Sequence, residues 1–381
     1  MLSFYEFFAG GGMARAGLGA GWKCAFANDF DFKKAETYKL NWGGDALKVG
    51  DVRKLETSKL PDQADLAWAS FPCQDLSLAG GGAGLRGDRS GTFWPFWELM
   101  KTLRAENRAP RAIVLENVCG TLTSHQGKDF SAIATALAKE DYRFGALVID
   151  AALFVPHSRP RLFIVAIRDD VQIPLAFQSP GASSIFHTRS LKTAHARMPP
   201  EARAKWIWWR LPGPSKRKSN FADLIEENPK SCAWHSARET QQLLAMMSDI
   251  NLEKVEAAKE SGRLMVGAIY KRTRLDESDV KVQRAEVRFD DVAGCLRTPA
   301  GGSSRQLILV VRGDKVRSRL ISTRETARLM GLPNSYQLPT NYNEAYHLTG
   351  DGVVVPVVRH LAAYLLEPIL NADAFNARAA A

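Results

Sequence analysis

Short apolar runs alternate with helical patterns along the first 170 residues of this chain. Each run has the length and composition of a buried strand, and each is followed by a segment with helical periodicity. Repeated strand–helix units of this kind predict an α/β fold with a doubly wound, mostly parallel sheet. The predicted strands lie near Leu2–Phe8, Cys24–Asn28, Leu66–Ser70, Ala112–Leu115, Ala146–Ile149 and Leu162–Ile167.

Residues 173–318 lack this rhythm. They contain Pro199-Pro200, Pro212-Gly213-Pro214 and the aromatic cluster Trp206–Trp209, which together predict an inserted, irregular and smaller second domain. We expect the aromatic cluster to form that domain's own core rather than a platform for stacking bases. Two helices are predicted after it, Thr323–Met330 with Thr323 as its cap, and the apolar Val353–Leu366. The expected domains are residues 1–172 completed by 345–381, and residues 173–344, which include the 319–336 motif.

Length and composition predict a soluble protein with more than one domain. The 381 residues are 45% hydrophobic, enough for a full core. No signal peptide is evident and no apolar run approaches the roughly 20 residues of a membrane span, so we expect no membrane partner and a cytoplasmic location. The cysteines at positions 24, 73, 119, 232 and 295 form no C-x-x-C pair, which argues against a disulfide framework or a zinc site and leaves free thiols.

The net charge of +10 is concentrated in the middle of the chain. Residues 1–172 have 21 basic and 20 acidic side chains, residues 173–318 have 25 and 16, and residues 319–381 have 5 and 5. A basic middle segment is typical of a domain that binds a polyanion, and its densest clusters are Lys216–Lys218 and Lys271–Arg274. The alternative is a basic face that simply contacts solvent.

A glycine-rich turn follows the first predicted strand. Gly10, Gly11 and Gly12 allow the backbone to approach a ligand at the start of the next helix, although such a turn can also be purely structural. Asp29, about 20 residues further on, could accept hydrogen bonds from ribose hydroxyls. Phe30 could then stack on an adenine, and Asp51 could receive its amino group unless it is an ordinary turn aspartate.

Cys73 lies in the segment Phe71-Pro72-Cys73-Gln74 that follows the apolar run Leu66–Ala69, at the end of a strand where open α/β sheets bind their ligands. A cysteine there can be an inert small hydrophobe. The stiff Pro72 before it, the polar Gln74 and Ser77 after it, and the glycine-dense residues 80–91, which could close as a lid, favour chemistry instead. Glu116 ends another apolar run, where a carboxylate is either a proton carrier or a helix cap.

Six short motifs follow one another along the chain. They are Phe8-Ala9-Gly10-Gly11-Gly12, Pro72-Cys73-Gln74, Glu116-Asn117-Val118, Arg159-Pro160-Arg161, Arg324-Glu325-Thr326-Ala327-Arg328-Leu329-Met330-Gly331 and Gly350-Asp351-Gly352-Val353. In this order and approximate spacing they resemble the motifs of the DNA (cytosine-5) methyltransferases. The resemblance covers residues 1–172 and roughly 290–381, and it leaves the basic middle segment where that family has its variable target-recognition region.

The resemblance implies S-adenosylmethionine as the cofactor and a cytosine flipped out of double-stranded DNA as the substrate. Cys73 would add to carbon 6 of the base, Glu116 would act at nitrogen 3, Arg161 would contact the carbonyl, and Arg159 would support the pocket. The implied cofactor residues are Phe8, Ala9, Gly10, Gly12, Met13, Asp29, Phe30, Asp51, Val52, Pro72, Asp351 and Val353. The implied DNA-binding residues are Gln74, Ser77, Arg86, Arg297, Ser303, Ser304 and Arg305.

Two positions depart from the family's pattern. Asp351 stands where asparagine is usual, which places an acid near the cofactor or the hinge, and His157 stands where glutamine is common. An RNA cytosine-5 methyltransferase or a DNA-binding homologue without catalysis are the alternatives, whereas a nicotinamide oxidoreductase would leave the thiol and the basic segment unexplained. We expect a monomer, associated with the nucleoid when bound to DNA, that could function beside a restriction endonuclease.

Overall fold

The structure is a computed structural model that describes residues 1–73, 76, 83–275, 279–296 and 305–372, with the side chain of Arg86 left out. The chain divides into two compact units. The first comprises Met1–Asp150, Pro160–Ser215 and Gly352–Ala381, and the second comprises Ala151–Arg159 and Lys216–Asp351. Each unit is therefore assembled from separate stretches of sequence.

A seven-stranded sheet with the order β3-β2-β1-β4-β5-β7-β6 forms the centre of the first unit. Strands β1 to β5 pair in parallel, whereas β7 is antiparallel to both of its neighbours. This confirms the predicted doubly wound, mostly parallel α/β fold. The strands are β1 Leu2–Phe7, β2 Trp22–Asp29, β3 Leu47–Val49, β4 Leu66–Ala69, β5 Ala112–Val118, β6 Tyr142–Asp150 and β7 Pro160–Arg168.

Helices cover the sheet, so its central strands are buried on both faces. All four residues of β4 are buried, which explains why this strand appears in the sequence as a continuous apolar run. The helices of this unit are α1 Met13–Leu18, α2 Phe32–Trp42, α3 Phe93–Ala105, α4 Lys128–Lys139, α5 Arg189–Arg197, α6 Pro200–Ala204 and α11 Val355–Leu361, which continues as a π-helix over Ala362–Leu366. Its 3₁₀ turns are Val52–Lys54, Thr57–Lys59, Gly84–Arg86, Ser90–Thr92, Cys119–Leu122, Ser124–Gly127 and Leu175–Phe177.

The tryptophan cluster belongs to the first unit, so its predicted place in the core of a small domain is wrong. Trp206 packs edge-on against Phe130 and Phe144, with ring centroids 6.2 and 5.6 Å apart. The reason is that β6 is the last strand of the sheet, so the backbone groups along its outer edge have no strand of the main sheet to pair with. The backbone N–H groups of Phe144 and Ile207 donate across this edge to Lys205 and Phe144, and the neighbouring chain covers it. Trp208–Trp209 also forms the short strand β9, which pairs with β8, Gln178–Ser179.

The predicted domain boundaries also differ from the two units. Residues 173–215 group with the first unit, residues 151–159 group with the second, and the first unit resumes at Gly352 rather than 345. The basic excess divides accordingly, because residues 173–215 have six basic and one acidic side chain and residues 216–318 have 19 and 15. Pro212-Gly213-Pro214 and Lys216–Lys218 flank the observed boundary at residue 215, whereas the prediction placed the boundary where the strand–helix rhythm ends.

The second unit is built on a four-stranded antiparallel sheet with the order β11-β10-β12-β13. A buried ion pair between Arg319 and Glu325 joins the last strand to α9, with Nη1 2.8 Å from Oε2. Ser322 caps this helix through a reciprocal capping box with Glu325, so the predicted cap at Thr323 is off by one residue. The elements are the 3₁₀ turns Ala151–Leu153 and Phe221–Leu224, α7 Ala237–Ala245, α8 Asp249–Glu260, β10 Leu264–Leu275, β11 Lys281–Arg288, β12 Leu307–Arg312, β13 Lys315–Leu320, α9 Thr323–Leu329 and α10 Tyr342–Asp351.

One helical stretch, Tyr342–Ala372, is long and apolar enough by composition to cross a membrane. The prediction that no stretch approaches that length is therefore wrong for composition alone. In the structure 61% of its most apolar window is buried inside the protein. Burial to this extent is typical of a core helix, and the stretch is weak evidence for a membrane span.

His187 predicts a loss of stability in acid. Its ring is buried beside Trp208, with centroids 4.9 Å apart, and burial, assisted by Lys192, lowers its pKa from 6.5 to about 4. As the pH falls from 6.5 to 4, His187 binds a proton in the unfolded chain but not in the folded chain, so the free energy of unfolding decreases. The expected loss is up to about 3 kcal/mol. Urea unfolding should show a shallower pH dependence for His187→Gln than for the wild type in this window, and equal slopes would contradict the assignment.

Candidate active site

The predicted site residues of the first unit follow strands that end at one edge of the sheet. The carboxyl ends of parallel β1, β2, β4 and β5 lie there, and the amino end of β7 lies there too because that strand is antiparallel. In open α/β sheets ligands bind outside these carboxyl ends. The topology therefore brings the glycine turn, Asp29, Cys73, Glu116 and Arg161 to a common edge.

The glycine turn has residues with positive φ, a conformation that glycine favours and phenylalanine does not. Gly10 and Gly12 have φ of 55° and 77°, and a Cβ on Gly12 would collide with the indole of Trp42. Phe8 also has a positive φ, 57°, which is strained for a residue with a side chain. The Ala9 N–H donates to the Asn28 carbonyl at 2.9 Å, which ties the turn to β2.

Asp29 supports the turn directly. Its Oδ2 accepts the Gly10 N–H at 2.7 Å and its Oδ1 accepts the Asp31 N–H at 2.8 Å. Burial raises the pKa of this carboxyl, while Lys34 and the two backbone donors oppose the rise. Each oxygen has a further lone pair that could accept a hydroxyl.

The remaining predicted cofactor residues of this unit differ in their exposure to solvent. The Phe30 ring is 71% exposed and its face is open for stacking. Asp51 accepts from the Arg53 backbone N–H at 2.9 Å and pairs with its guanidinium at 3.3 Å. The side chains of Ala9, Met13, Val52 and Val353 are buried, and Pro72 is half-buried.

The sequence prediction missed Glu6, a buried acid under the glycine turn. It lies in β1, 1% exposed, and its Oε1 accepts the Arg15 N–H at 3.2 Å. Oε2 has no hydrogen-bond partner in the part of the chain that the structure describes. Burial raises the pKa of Glu6 to about 8, so this carboxyl is mainly protonated at neutral pH. The available signal was a charged residue inside the apolar run Phe4–Phe7.

Hydrogen bonds on both sides hold the backbone around Cys73. The Asn117 side-chain amide donates to the Phe71 carbonyl at 3.1 Å, and the Leu76 N–H donates to the Cys73 carbonyl at 3.0 Å. Cys73 itself is partly exposed. Of the predicted lid over residues 80–91, the described part contains 3₁₀ turns and buries Leu85.

Glu116 and Arg161 form an ion pair with Oε1 3.4 Å from Nε. The antiparallel register places Val118 opposite Arg161, so Glu116 is the diagonal neighbour of Arg161 on the same face of the sheet. Both side chains are largely withdrawn from solvent, and Glu116 is buried. A carboxylate and a guanidinium fixed side by side can serve the donors and acceptors of one planar ring.

Arg159 belongs to the second unit although it lies two residues before Arg161. Its buried guanidinium donates to the carbonyls of Leu296 at 3.4 Å and Gly350 at 2.7 Å. His157 is buried in the same segment, where Nε2 accepts the Leu296 N–H and Nδ1 lies 3.3 Å from the Leu329 carbonyl. An imidazole that accepts at Nε2 and donates from Nδ1 is neutral.

The other predicted residues are only partly within the structure. Arg305 lies over the Tyr342 ring at 5.6 Å and bonds the Asn343 side chain, and Asp351 is exposed at the end of α10. Gln74, Ser77, Arg297, Ser303 and Ser304 lie outside the described residues, as does the side chain of Arg86. The described residues contain no cluster of three or more metal-ligating side chains, and their cysteines are free.

Comparison with known proteins gives one consistent family. The model of the C-5 cytosine-specific DNA methylases matches residues 2–367. The type II methyltransferase M.HhaI of Haemophilus parahaemolyticus is 23% identical over 95% of this chain and 93% of its own, and M.DsaV of Dactylococcopsis salina is 27% identical over 97% and 87%. The solved structure of the Entamoeba histolytica methyltransferase EhMeth has the same fold, with a TM-score of 0.62, 13% identity, and coverage of 97% of this chain and 99% of that one.

The buried acid at position 6 predicts that stability falls as the pH rises. Between its ordinary pKa of 4.5 and its folded value of about 8, the unfolded chain loses a proton that the folded chain keeps, so unfolding becomes easier with rising pH. Glu6→Gln removes this cost and should stabilise the protein by roughly 2–4 kcal/mol at pH 8 and much less at pH 5. Urea unfolding at both pH values measures it, with exposed Glu36→Gln as the control. An equal gain at both values would contradict the assignment.

Proposed function

Because the chain belongs to the C-5 cytosine-specific DNA methylase family, we propose that it transfers a methyl group from S-adenosylmethionine to carbon 5 of a flipped-out cytosine in a specific double-stranded DNA sequence. One observation carries the proposal. The Cys73 segment, whose backbone is hydrogen-bonded to Asn117, and the Glu116–Arg161 ion pair lie at the same edge of the sheet, on or directly after the neighbouring strands β4, β5 and β7. A nucleophile, a proton carrier and a fixed cation are the three groups that this reaction requires.

The residues around the glycine turn fit S-adenosylmethionine. Asp29 has lone pairs left for ribose hydroxyls, and the Phe30 face is open to a purine. Among the described residues beyond its chain neighbours, none has a heavy atom within 4 Å of the point where a Cβ on Gly10 would stand. The bound cofactor would supply the electrophilic methyl group. In this assignment the turn binds and orients the cofactor, and Asp51, Val52 and Pro72 complete the pocket.

Cys73 is assigned as the nucleophile because carbon 5 of cytosine is unreactive on its own. Its thiolate adds to carbon 6, a carbon–sulfur bond forms, and the electron pair of the 5,6 double bond becomes available at carbon 5. After carbon 5 has been methylated, a base removes its proton, the double bond returns and the thiolate leaves. Cys73 therefore ends the cycle unchanged.

Glu116 and Arg161 are assigned to the charge that this addition creates. Glu116 carries a proton to ring nitrogen 3, and Arg161 donates to the carbonyl oxygen of the base. Their ion pair supports the assignment because it holds both groups in place before a base arrives. Arg159 is assigned an indirect role, since its contacts are with backbone carbonyls of the second unit.

The second unit is assigned to DNA recognition, and the β10–β11 ribbon supports this. Strand β10 pairs with β12 as far as Ile269, and among the strands that the structure describes its continuation to Leu275 pairs with β11 alone. Two-stranded ribbons fit the major groove, and the basic part of this one exposes Arg272–Arg274 and Lys281 and leaves Lys271 partly exposed. Glu286 pairs with Arg272 and Arg274, at 3.3 and 2.6 Å. Gln74, Ser77, Arg86, Arg297, Ser303, Ser304 and Arg305 remain the candidates for further contacts.

Type II names among the relatives support a role in restriction–modification, with a restriction endonuclease as the functional partner. We further propose that the protein acts as a monomer in the cytoplasm, at the nucleoid when it is bound to DNA. An RNA cytosine-5 methyltransferase is the alternative substrate assignment. The assay below separates the two nucleic acids.

The purified protein should transfer tritium from labelled S-adenosylmethionine to genomic DNA as 5-methylcytosine. Cys73→Ala should reduce the label to background while DNA binding is retained, because only the nucleophile is removed. Glu116→Gln should lower kcat by about 10²–10⁴-fold, the usual contribution of a proton carrier. Label on RNA alone would move the substrate, and full activity of Cys73→Ala would exclude the covalent route.

DNA affinity should fall with salt, and the ribbon lysines should account for part of the slope. Lys271 and Lys281 have no ion-pair partner among the described residues, so each is available for a phosphate. Replacing either by alanine should reduce the slope of log K against log salt concentration by about 1. Fluorescence anisotropy with a duplex at several salt concentrations measures this. The control is Lys23→Ala, an exposed lysine of β2, and an equal effect in the control would argue against the ribbon.

A further inference from the structure

Asn117 and Gly120 contact the Cys73 segment from two sides. The parallel ladder between β4 and β5 ends at the pair Ala69 and Leu115, so Phe71 and Asn117 occupy the next rung on the same face. No backbone pair is present at this rung. The Asn117 Nδ2 donates instead to the Phe71 carbonyl at 3.1 Å, and a side chain thus replaces the missing rung.

The chemistry of this position requires an amide. Oδ1 of Asn117 accepts the Val118 N–H at 2.8 Å and the Thr121 hydroxyl at 3.3 Å, so both ends of the side chain are used in a buried site. An aspartate could accept the same two bonds but would turn a second oxygen toward the Phe71 carbonyl. An unmade bond of this kind is costly when it is buried.

Pro72 increases the effect of the hydrogen bond from Asn117 to the Phe71 carbonyl, which we call the anchor. It has no N–H to donate, and it restricts Phe71 before it to an extended backbone. Fixing the Phe71 carbonyl therefore fixes the direction in which the chain enters Cys73. The anchor acts two residues before the thiol, through a rigid dipeptide.

Gly120 provides the second contact, three residues after Asn117. A Cβ at this position would collide with the carbonyl oxygen of Leu76, so the backbone of the Cys119–Leu122 turn packs against that carbonyl. Leu76 is the residue whose N–H donates to Cys73. Asn117 therefore holds the chain before the thiol, and Gly120 confines it after the thiol.

We infer that Asn117 and Gly120 are positioning residues that set the Cys73 thiol for attack on the base. The inference rests on the proposed function, since it assigns the two residues to the same reaction. Neither residue needs to touch the substrate. Strand β5 would then act on both of its faces, with Glu116 at the base and Asn117 behind the nucleophile.

The test compares two matched pairs of variants. Asn117→Asp replaces the donor to Phe71 by an oxygen and keeps the two accepted bonds, whereas Thr121→Val removes one of those accepted bonds and leaves the donor in place. Gly120→Ala adds the colliding Cβ, whereas Gly21→Ala adds one that has no heavy atom of the described residues within 4 Å apart from its chain neighbours. Two readouts are used: hydrogen exchange of the peptide containing Leu76 in the protein alone, and steady-state methyl transfer with DNA.

Asn117→Asp and Gly120→Ala should each increase exchange of the Leu76 amide at least tenfold and lower kcat at least tenfold. Binding of S-adenosylmethionine and of DNA should stay within about twofold of the wild type, and both control variants should match the wild type. Unchanged exchange, unchanged kcat, or a loss confined to KM would each overturn the inference. An inactive wild type would instead refute the proposed function, and Asn117→Asp decides the matter if Gly120→Ala fails to fold.

Discussion

The parallel register of β4 and β5 is the constraint on which the candidate site depends. It pairs Ala69, the last residue of β4, with Leu115, which lies three residues before the end of β5. Cys73 follows the last paired residue of β4 by four residues, and Glu116 follows its partner in β5 by one. A slip of one residue would reverse the face of every side chain in a strand, and Glu116 and Asn117 would exchange places.

The antiparallel strand β7 places a cation from the start of a strand at this edge, which a wholly parallel sheet could not do. Because its direction is reversed, its first residues rather than its last lie at the reactive edge. Arg161 therefore reaches Glu116 at the start of a strand, with no loop between the cation and the sheet. A side chain on a strand is held more firmly than one on a loop, which suits the role proposed for Arg161 at a planar base.

The sequence predicted the parts of the fold that depend on local pattern. Strands such as Leu66–Ala69 are fully buried, so their apolar runs are unbroken, and a thiol or an acid directly after such a run has one available place in the sheet. Two features could not be predicted this way. Trp206 covers the edge of β6, a contact set by tertiary pairing. Glu6 lies inside an apolar run, which indicates burial, but the partners that decide its protonation are set by the fold. The role of Asn117 depends on a ladder register that one sequence does not contain.

Arg159 and Arg161 show why a motif cannot be assigned one role as a whole. The chain leaves the first unit at Asp150 and returns at Pro160, so the two arginines belong to different units. Arg159 donates to the carbonyls of Leu296 and Gly350, and its removal would take a charged donor away from both acceptors inside the second unit. Arg161 pairs with the Glu116 carboxylate, and replacing Arg161 would remove the positive charge of that ion pair. Loss of activity on replacing Arg159 alone is therefore no evidence that it meets the substrate, whereas the same loss at Arg161 bears directly on the ion pair.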